Sequence, residues 1–400
     1  MTENYKKESN RAFETAKLTS YWLYLAQIPE AVEFAELIGL DTMNASVIPN
    51  AEEMCFLNPI IHEIRYKSVN YYIRRSGCRN VLDIACGYSP RGMQLAREGY
   101  HYCGADFPVV TEELSPVVEK LGLTNCEYHA ADATNYESLR KITDSMEGPI
   151  CVVAEGLGMY LTAAEAATVR ENIARILYDH KGSVYITPDP GNGYLFANVI
   201  HSLYPFWKLM PTIGMLFTMY NWASDGGITM ETAKRPLRRD VELFRESGFE
   251  VNQCALLPEE TELRHVPGVS ERQIGKIRNI LPKKLIFVST LSAGWQFEDE
   301  EKGKEFYVED ALEEGILKLT LSGRVDTLSA PKILECFERR RPEIHKVEIN
   351  MKNVTYLSSA GTRVLYLIQK ELGDEALLTL CECNPELKEQ FLKNEIIERL

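Results

Sequence analysis

Four acidic residues recur at nearly equal spacing in this chain, each at or just past the end of a short β-rich run. They are Asp83, Asp106, Asp132 and Glu155, separated by 23, 26 and 23 residues. One strand, one helix and two loops use about that length, so the spacing predicts repeated strand–helix units. The carboxyl ends of parallel strands meet at one edge of a sheet, where ligands bind in open α/β folds. The sequence therefore predicts four carboxylates along the ligand-binding edge of one sheet.

The β-rich runs predict a doubly wound, mostly parallel sheet of seven strands with a Rossmann-like α/β fold. Residues 1–79 read as helices and predict a helical cap before the first strand. Residues 194–222 form an apolar, aromatic insertion, which we interpret as a lid or pocket wall; the alternative is ordinary packing against the sheet. The seven predicted strands are 80–84, 101–105, 127–131, 150–154, 183–187, 249–257 and 284–290.

The length of 400 residues favours two domains, because a single hydrophobic core rarely grows that large. An acidic, polar stretch at 297–315 suits a linker entering a new unit. Strand-like and helical runs alternate again beyond it and end in a helix at 385–397, which suffices for one small α/β domain. We predict a first domain over 1–295, a linker over 296–304 and a second domain over 305–400.

Charge and composition exclude several classes of protein. A formal charge of −14 argues against a nucleic-acid partner. The first residues lack the apolar core of a signal peptide, and no run of about 20 unbroken apolar residues is available to span a bilayer. Ten cysteines without C-x-x-C pairs fit a reducing compartment, so we expect a cytoplasmic protein with no membrane contact. We also predict no metal site.

The loop after the first predicted strand is VLDIACGYSPRG, residues 81–92. A glycine in a strand-to-helix turn lets the backbone approach a ligand and aims helix N–H groups at a negative group. A dinucleotide fingerprint would need G-x-G-x-x-G, but Ala85 takes the first glycine place, Gly87 the second, and the third is not glycine. A nicotinamide or flavin enzyme is therefore disfavoured.

The three later acids suit a nucleoside ligand. Asp106 is placed to accept from both hydroxyls of a ribose, Asp132 from an adenine amino group, and Glu155 from an ammonium group or an incoming substrate. Each acid has an alternative role, because an Asp at a strand end also caps the following helix. Four acids in register favour the ligand interpretation.

At these positions the sequence resembles the leucine carboxyl methyltransferase-like and small-molecule O-methyltransferases, which have a class I methyltransferase fold. The Asp-Phe-Pro and Glu-Gly...Met-Tyr-Leu segments carry the resemblance most specifically. The matching residues are Arg65, 85–91 (ACGYSPR), 106–108 (DFP), 132–133 (DA) and 155–161 (EGLGMYL).

The resemblance implies S-adenosylmethionine as the cofactor. It assigns Arg65 to the cofactor carboxylate, Gly87 to the methionine moiety, Asp106 to the ribose, Asp132 to the adenine and Glu155 to the ammonium. Three positions depart from the family. Ser89 stands where the family often has Asp, Ala85 replaces a glycine, and Ala133 replaces the Leu beside adenine.

The activated methyl group of a sulfonium needs mainly positioning and exclusion of water. A carboxylate acceptor needs no general base, whereas a hydroxyl acceptor does. We predict that Tyr160 and Arg91 orient the substrate, with Tyr88 a further residue for the same role. Five lone histidines show no acid or metal spacing and are interpreted as structural or solvated. They are His62, His129, His180, His201 and His265.

The C-terminal part resembles the STAS fold of anti-sigma-factor antagonists and anion transporters. Its motifs are residues 321–326 (LSGRVD) and 358–361 (SSAG). The resemblance implies a docking, nucleotide-sensing or dimerising module with a regulatory protein partner. Members controlled by phosphorylation carry a hydroxyl directly before the turn glycine, where this chain has Ala360, so we expect no phosphorylation switch at that position.

Two functions fit the sequence. The first is an S-adenosylmethionine-dependent O-methyltransferase that acts on a carboxylate or hydroxyl of a small molecule or protein, with the STAS-like module locating or regulating it. The second is a non-catalytic protein that binds S-adenosylmethionine as a sensor and signals through the STAS-like domain as an anti-sigma-factor antagonist. The apparently intact cofactor contacts favour the enzyme.

Overall fold

The chain forms two compact units, one over Ser9–Gln296 and one that contains Phe297–Leu400. The predicted linker at 296–304 lies outside the described residues, as does the predicted C-terminal helix except for residue 387. The computed structural model describes residues 3–44, 48, 50, 54–223, 235–259, 261–263, 269–281, 283–295, 306–373, 377–383 and 387.

The first unit is built on the predicted seven-stranded sheet, in the order β3-β2-β1-β4-β5-β7-β6. Strands β1 to β5 are parallel, whereas β7 runs antiparallel to both β5 and β6. Every residue of β1 and β4 is buried, as expected for central strands covered on both faces. The predicted fold class is confirmed. The strands are β1 (Asn80–Ile84), β2 (His101–Asp106), β3 (Cys126–Ala130), β4 (Ile150–Ala154), β5 (Val184–Thr187), β6 (Phe249–Cys254) and β7 (Ile286–Leu291).

Helices connect these strands and pack against them; α4 lies against β2, and α5 against β3. Several begin at recognisable signals. The helix α7 starts at a capping box between Thr162 and Glu165, and α5 starts with Pro108 in its first turn. The connecting helices are α4 (Arg91–Arg97), α5 (Pro108–Lys120), α6 (Tyr136–Thr143), α7 (Ala163–Asp179), α8 (Asn192–Leu203), α9 (Phe206–Ala223), α10 (Leu237–Glu246) and α11 (Glu271–Ile280).

The predicted N-terminal helical cap is confirmed, and the described residues of this segment form three helices. They are α1 (Glu3–Leu25), α2 (Pro29–Ile38) and α3 (Leu57–Arg75). Trp22 of α1 and Phe34 of α2 are fully buried in the same hydrophobic core as Ile60 and Ile64 of α3. These large apolar side chains hold the cap on the sheet unit.

The aromatic insertion at 194–222 is helical and coincides with α8 and α9. One side of α8 is in the core, where Leu195 and Val199 are fully buried. Trp207 of α9, by contrast, is 76% exposed. The insertion therefore packs by one face, and its role as a pocket wall stays a prediction.

The second unit contains a four-stranded sheet in the order β11-β10-β9-β8, with β8 antiparallel to β9 and the other neighbours parallel. Buried apolar residues on β9, β10, α12 and α13 form its core. Among the described residues, no helix has the length and apolar character that crossing a membrane requires. The elements are β8 (Tyr307–Glu313), β9 (Ile316–Val325), α12 (Ala330–Arg340), β10 (Lys346–Leu357), α13 (Ser359–Leu372) and β11 (Leu378–Cys381).

Strand β8 corrects one expectation. It occupies the second half of the stretch at 297–315 that we interpreted as linker-like. The charged residues hide its alternating pattern, because β8 is an edge strand whose Glu309 and Glu313 face solvent. Charges on an exposed edge also discourage pairing with another chain.

Candidate functional site

The loop after β1 is held against the end of β2. The backbone N–H of Gly87 donates a 2.7 Å hydrogen bond to Oδ2 of Asp106, and the N–H of Phe107 donates a 2.7 Å bond to Oδ1. Gly87 has a φ of +52°. Ala85, which replaces a glycine of the family pattern, also adopts a left-handed φ of +53°. A non-glycine residue in that region costs about 1 kcal/mol. The loop therefore keeps the tight glycine-type turn despite Ala85.

The Asp106 carboxyl lies in a confined environment at the sheet edge. Burial raises its pKa to about 6, although the two backbone N–H groups oppose this by stabilising the charged form. A buried carboxyl with a raised pKa at the end of a parallel strand is a candidate for a functional site.

Glu155 lies between two arginines just beyond β4. Its Oε2 is 2.5 Å from Nη2 of Arg91, and its Oε1 is 3.1 Å from Nε of Arg65. Arg91 also contacts Asp83 at 2.7 Å and donates to Asn70 at 2.7 Å. The Arg91 side chain is only 2% exposed, so the hydrogen-bond partners of its guanidinium are protein groups. Arg91 therefore holds Glu155 in place, and the substrate-orienting role that we predict for it from the sequence stays a prediction.

A fifth acid, Asp189, belongs to the same cluster and was missed by the sequence analysis. It follows β5 and accepts hydrogen bonds from the N–H of Gly156 at 2.7 Å and of Gly158 at 3.1 Å. Its Oδ1 lies 3.4 Å from Nη2 of Arg65. The signal was present, because Asp189 stands just past the fifth strand, as the other acids stand at or just past the ends of the first four.

Arg65 is the cation at the centre of this edge. It is buried, and its Nε makes no hydrogen bond of good geometry within the described residues despite its nearness to Glu155. Its guanidinium thus faces two carboxylates without being saturated by them. A buried cation in this state can accept a further anionic group.

Tyr160 ends a short 3-10 turn, Gly158–Tyr160, beside the acids. Burial raises the pKa of its phenol to about 12, and a side-chain hydrogen bond with Thr15 of α1 opposes the rise. The phenol is therefore protonated at neutral pH and can donate a hydrogen bond. Its place at the site agrees with the predicted orienting role, which stays a prediction.

Helix α1 lies over this edge of the sheet. The rings of Phe13 and Phe107 meet edge to face with centroids 5.6 Å apart, and a Cβ on Gly87 would lie 3.4 Å from Cβ of Ala16. Lys17 pairs with Glu113 at 2.9 Å. The helix therefore covers the loops after β1 and β2.

Tyr88 contacts the same ion pair, formed by Lys17 and Glu113. Its hydroxyl donates to Glu113 at 2.8 Å, Nζ of Lys17 lies 4.9 Å above its ring, and the side chain is buried. This arrangement fixes the loop to α1 and α5, so Tyr88 serves the loop more directly than a substrate.

Asp132 adopts the alternative role of a turn-capping acid. Its Oδ1 accepts from the backbone N–H of Thr134 at 2.7 Å and from the Thr134 hydroxyl at 2.6 Å. Asn172 of α7 donates to the carbonyl of Ala133 at 2.9 Å. These bonds hold the loop after β3 in a defined shape, and the adenine contact stays a prediction.

A row of buried polar groups extends from Arg65 along α3. Asn58, His62 and Arg65 are spaced i, i+4 and i+7, which places them on one helix face. His62 stacks on Trp22 of α1 with ring centroids 4.8 Å apart. Oδ1 of Asn58, Nε2 of His62 and Nε1 of Trp22 have no hydrogen-bond partner among the described residues. Burial holds the pKa of His62 well below its usual range, so the imidazole is neutral.

Comparisons with solved structures find weak likenesses, each covering a little over half of this chain. One is an O-methyltransferase family protein from Burkholderia thailandensis, with 14% identity, a TM-score of 0.34, and coverage of 62% of this chain and 61% of that chain. A second is magnesium protoporphyrin IX methyltransferase from Synechocystis PCC 6803, solved with bound SAH, with 14% identity, a TM-score of 0.34, and coverage of 59% and 88%. A TehB-like SAM-dependent methyltransferase from Corynebacterium glutamicum has 13% identity, a TM-score of 0.30, and coverage of 56% and 88%.

No curated protein sequence matches this chain. Residues 307–398, in contrast, match the family model of the STAS domain. This range contains β8 to β11 with α12 and α13, the elements of the second unit. The C-terminal segment of the chain is therefore a STAS domain.

Proposed function

We propose that the first unit binds S-adenosylmethionine and transfers its methyl group to an oxygen of a small-molecule or protein acceptor. The observation that carries this proposal is the meeting of Arg65, Glu155, Asp189 and Asp106 at the carboxyl edge of the sheet. One cation and three carboxylates suit a ligand that carries a carboxylate, an ammonium group and ribose hydroxyls.

The residues present fit this cofactor. Arg65, buried and unsaturated, would hold the cofactor carboxylate, while Glu155 and Asp189 would accept from the ammonium group. Asp106 would accept from the ribose hydroxyls, and Gly87 allows close approach of the methionine moiety. Asp132 and Ala133 would border the adenine.

The cofactor, when bound, supplies a methyl group that its positive sulfur already activates. The protein then needs chiefly to orient the acceptor and exclude water. Helix α1 covers the edge, and the protonated phenol of Tyr160 donates a hydrogen bond that can orient an acceptor. Arg91 acts through Glu155 as a positioning residue.

The polar row along α3 supports an oxygen-bearing acceptor. Asn58, His62 and Trp22 are buried with unpartnered polar atoms, and such groups are normally satisfied by protein, water or ligand. Neutral His62 can accept a hydrogen bond from a hydroxyl acceptor, whereas a carboxylate acceptor would need no base.

The STAS domain would supply docking or regulation through a protein partner in the cytoplasm, which is the compartment that the reduced cysteines favour. In the alternative function the first unit binds the cofactor without catalysis and signals through the STAS domain. Both functions share the cofactor site and differ in turnover.

The proposal can be tested with methyl-labelled S-adenosylmethionine, incubated with the full chain and either a metabolite extract or a protein extract. We expect transfer to a product whose label is released by ester or ether cleavage. Glu155→Gln should abolish transfer, whereas Arg97→Met, which removes a surface pair with Glu33, should not. Tight cofactor binding with no transfer in either extract would favour the sensor function.

A further inference from the structure

A second cluster of chemically active side chains lies on β2 and β3, apart from the acids of the carboxyl edge. His101 and Cys103 of β2 alternate onto one face, as do Glu127 and His129 of β3, and Cys103 pairs in register with Glu127. The sheet thus gathers two imidazoles, a thiol and a carboxylate. These are the ligand types that zinc prefers.

The three ligand atoms lie close enough together to surround one metal ion. Nε2 of His101 lies 3.7 Å from Sγ of Cys103 and 3.7 Å from Oε1 of Glu127, and the three ligand atoms all lie within 4.8 Å of one another. Ordinary zinc bond lengths at tetrahedral angles place neighbouring ligand atoms about 3.3–3.7 Å apart. Nε2 of His129 lies 3.0 Å from Oε2 of Glu127, where it can orient the carboxylate or become a fourth ligand.

The orientation of His101 is set by its neighbour Asn80. The Asn80 amide nitrogen donates to the carbonyl of Glu147 at 2.7 Å, which turns its Oδ1 towards Nδ1 of His101 at 3.2 Å. Nδ1 must then carry the proton, and Nε2 presents a lone pair towards Cys103 and Glu127. Metal-binding histidines are commonly fixed in this way by an outer hydrogen bond.

We propose that His101, Cys103 and Glu127 bind a divalent cation of the zinc class, with His129 completing or supporting the site. Binding exchanges the thiol proton of Cys103 for a sulfur–metal bond, and the proton passes to solvent. The ion would join β2 to the edge strand β3, so its role is structural. This inference is independent of the proposed methyl transfer.

This proposal departs from the expectation of no metal site for a definite reason. His101 and Cys103 are one short pair in the sequence, and Glu127 and His129 are another, more than 20 residues later. Neither pair alone has the spacing of a metal motif. The parallel register of β2 and β3 brings them together.

Cobalt(II) is the probe, because it reports thiolate ligation by an ultraviolet charge-transfer band and tetrahedral geometry by its visible bands. Tag-free full-length protein, stripped with EDTA, should show saturable binding of one cobalt ion per chain, displaced by zinc. Cys103→Ser should lose the thiolate band, and Glu127→Gln should weaken binding at least tenfold. Cys254→Ser, a partly exposed strand cysteine elsewhere, is the matched control and should keep the band.

Absence of saturable binding would overturn the proposal, as would a thiolate band that persists in Cys103→Ser. If circular dichroism shows that Cys103→Ser does not fold, the cobalt affinities of His101→Gln and Glu127→Gln test the site instead, because both of these ligand side chains are partly exposed. Unchanged cobalt affinity in both would also contradict the site.

Discussion

The backbone N–H of Gly87 donates a hydrogen bond of 2.7 Å to the carboxylate of Asp106. This bond joins the loop after β1 to the end of β2, which are adjacent strands of the sheet. It holds the proposed ribose-binding acid beside the glycine turn that would face the methionine moiety. Asp106 is therefore positioned before any ligand arrives, which reduces the ordering that binding requires.

Cofactor affinity should depend on the ionisation of Asp106. Its pKa of about 6 lies above the ordinary aspartate value because of burial, so lowering the pH protonates it and removes an acceptor for the ribose hydroxyls. At pH 5 only about a tenth of the molecules keep the carboxylate, and affinity should be about tenfold weaker than at pH 7.5. Calorimetric titrations across this range check the prediction, and Asp106→Asn should show a much flatter pH profile.

Replacing Arg91 should destabilise the fold strongly. Arg91→Met leaves the buried Asp83 and the half-buried Glu155 without their shared cation, and breaking a buried ion pair costs about 3–5 kcal/mol. Denaturant unfolding measures the loss. Arg97→Met is the control, because its exposed pair with Glu33 should contribute about 0–1 kcal/mol. Wild-type stability in Arg91→Met, combined with lost methyl transfer, would contradict the structural role and favour the substrate-orienting role predicted from the sequence.

The two proposed domains should fold independently. Fragments 1–295 and 304–400 each contain a sheet with its own buried core, so each should be soluble and give a cooperative unfolding transition. Circular dichroism of the separate fragments checks this. A fragment that is disordered while the full chain is folded would show that the proposed boundary is wrong.

The STAS domain should dock its partner without a phosphorylation switch. Ala360 has no hydroxyl, and the Ser358 side chain is buried, where it caps α13 by accepting from the N–H of Gly361 at 3.2 Å. Phosphorylation of Ser359 is the rival possibility. Mass spectrometry after incubation with kinases encoded beside this protein should find no stoichiometric phosphate on Ser358 or Ser359. A phosphate at either residue that alters partner binding would refute constitutive docking.

The strands and the acids at their ends were predictable because both leave local signals. Buried central strands such as β1 and β4 read as short apolar runs, and a regular spacing places Asp106 and Glu155 at the same edge. Asp189 was missed because it lies 34 residues after Glu155, beyond the regular spacing of 23 to 26 residues, since the long helix α7 intervenes. Strand β8 was missed because its charged edge conceals the alternation.

The buried contacts of Arg91 could not be predicted from the sequence of the loop that carries it. They depend on Asn70 in α3, Asp83 in β1 and Glu155 after β4, which are brought together only by the folded sheet. The same holds for α1, whose covering position follows from contacts such as that of Thr15 with Tyr160. Both the contacts of Arg91 and the position of α1 depend on long-range packing, which leaves no pattern in any one segment of the sequence.

The central claim is that this edge of the sheet binds S-adenosylmethionine, and calorimetric titration of the full chain with that cofactor tests it most directly. We predict saturable binding of one molecule per chain. Asp106→Ala should weaken it by about 2–4 kcal/mol, or roughly 30- to 1000-fold, with the fold retained by circular dichroism. Asp144→Ala, at an exposed helix end, should bind as the wild type does. No binding by the wild type, or equal affinity in Asp106→Ala, would contradict the account.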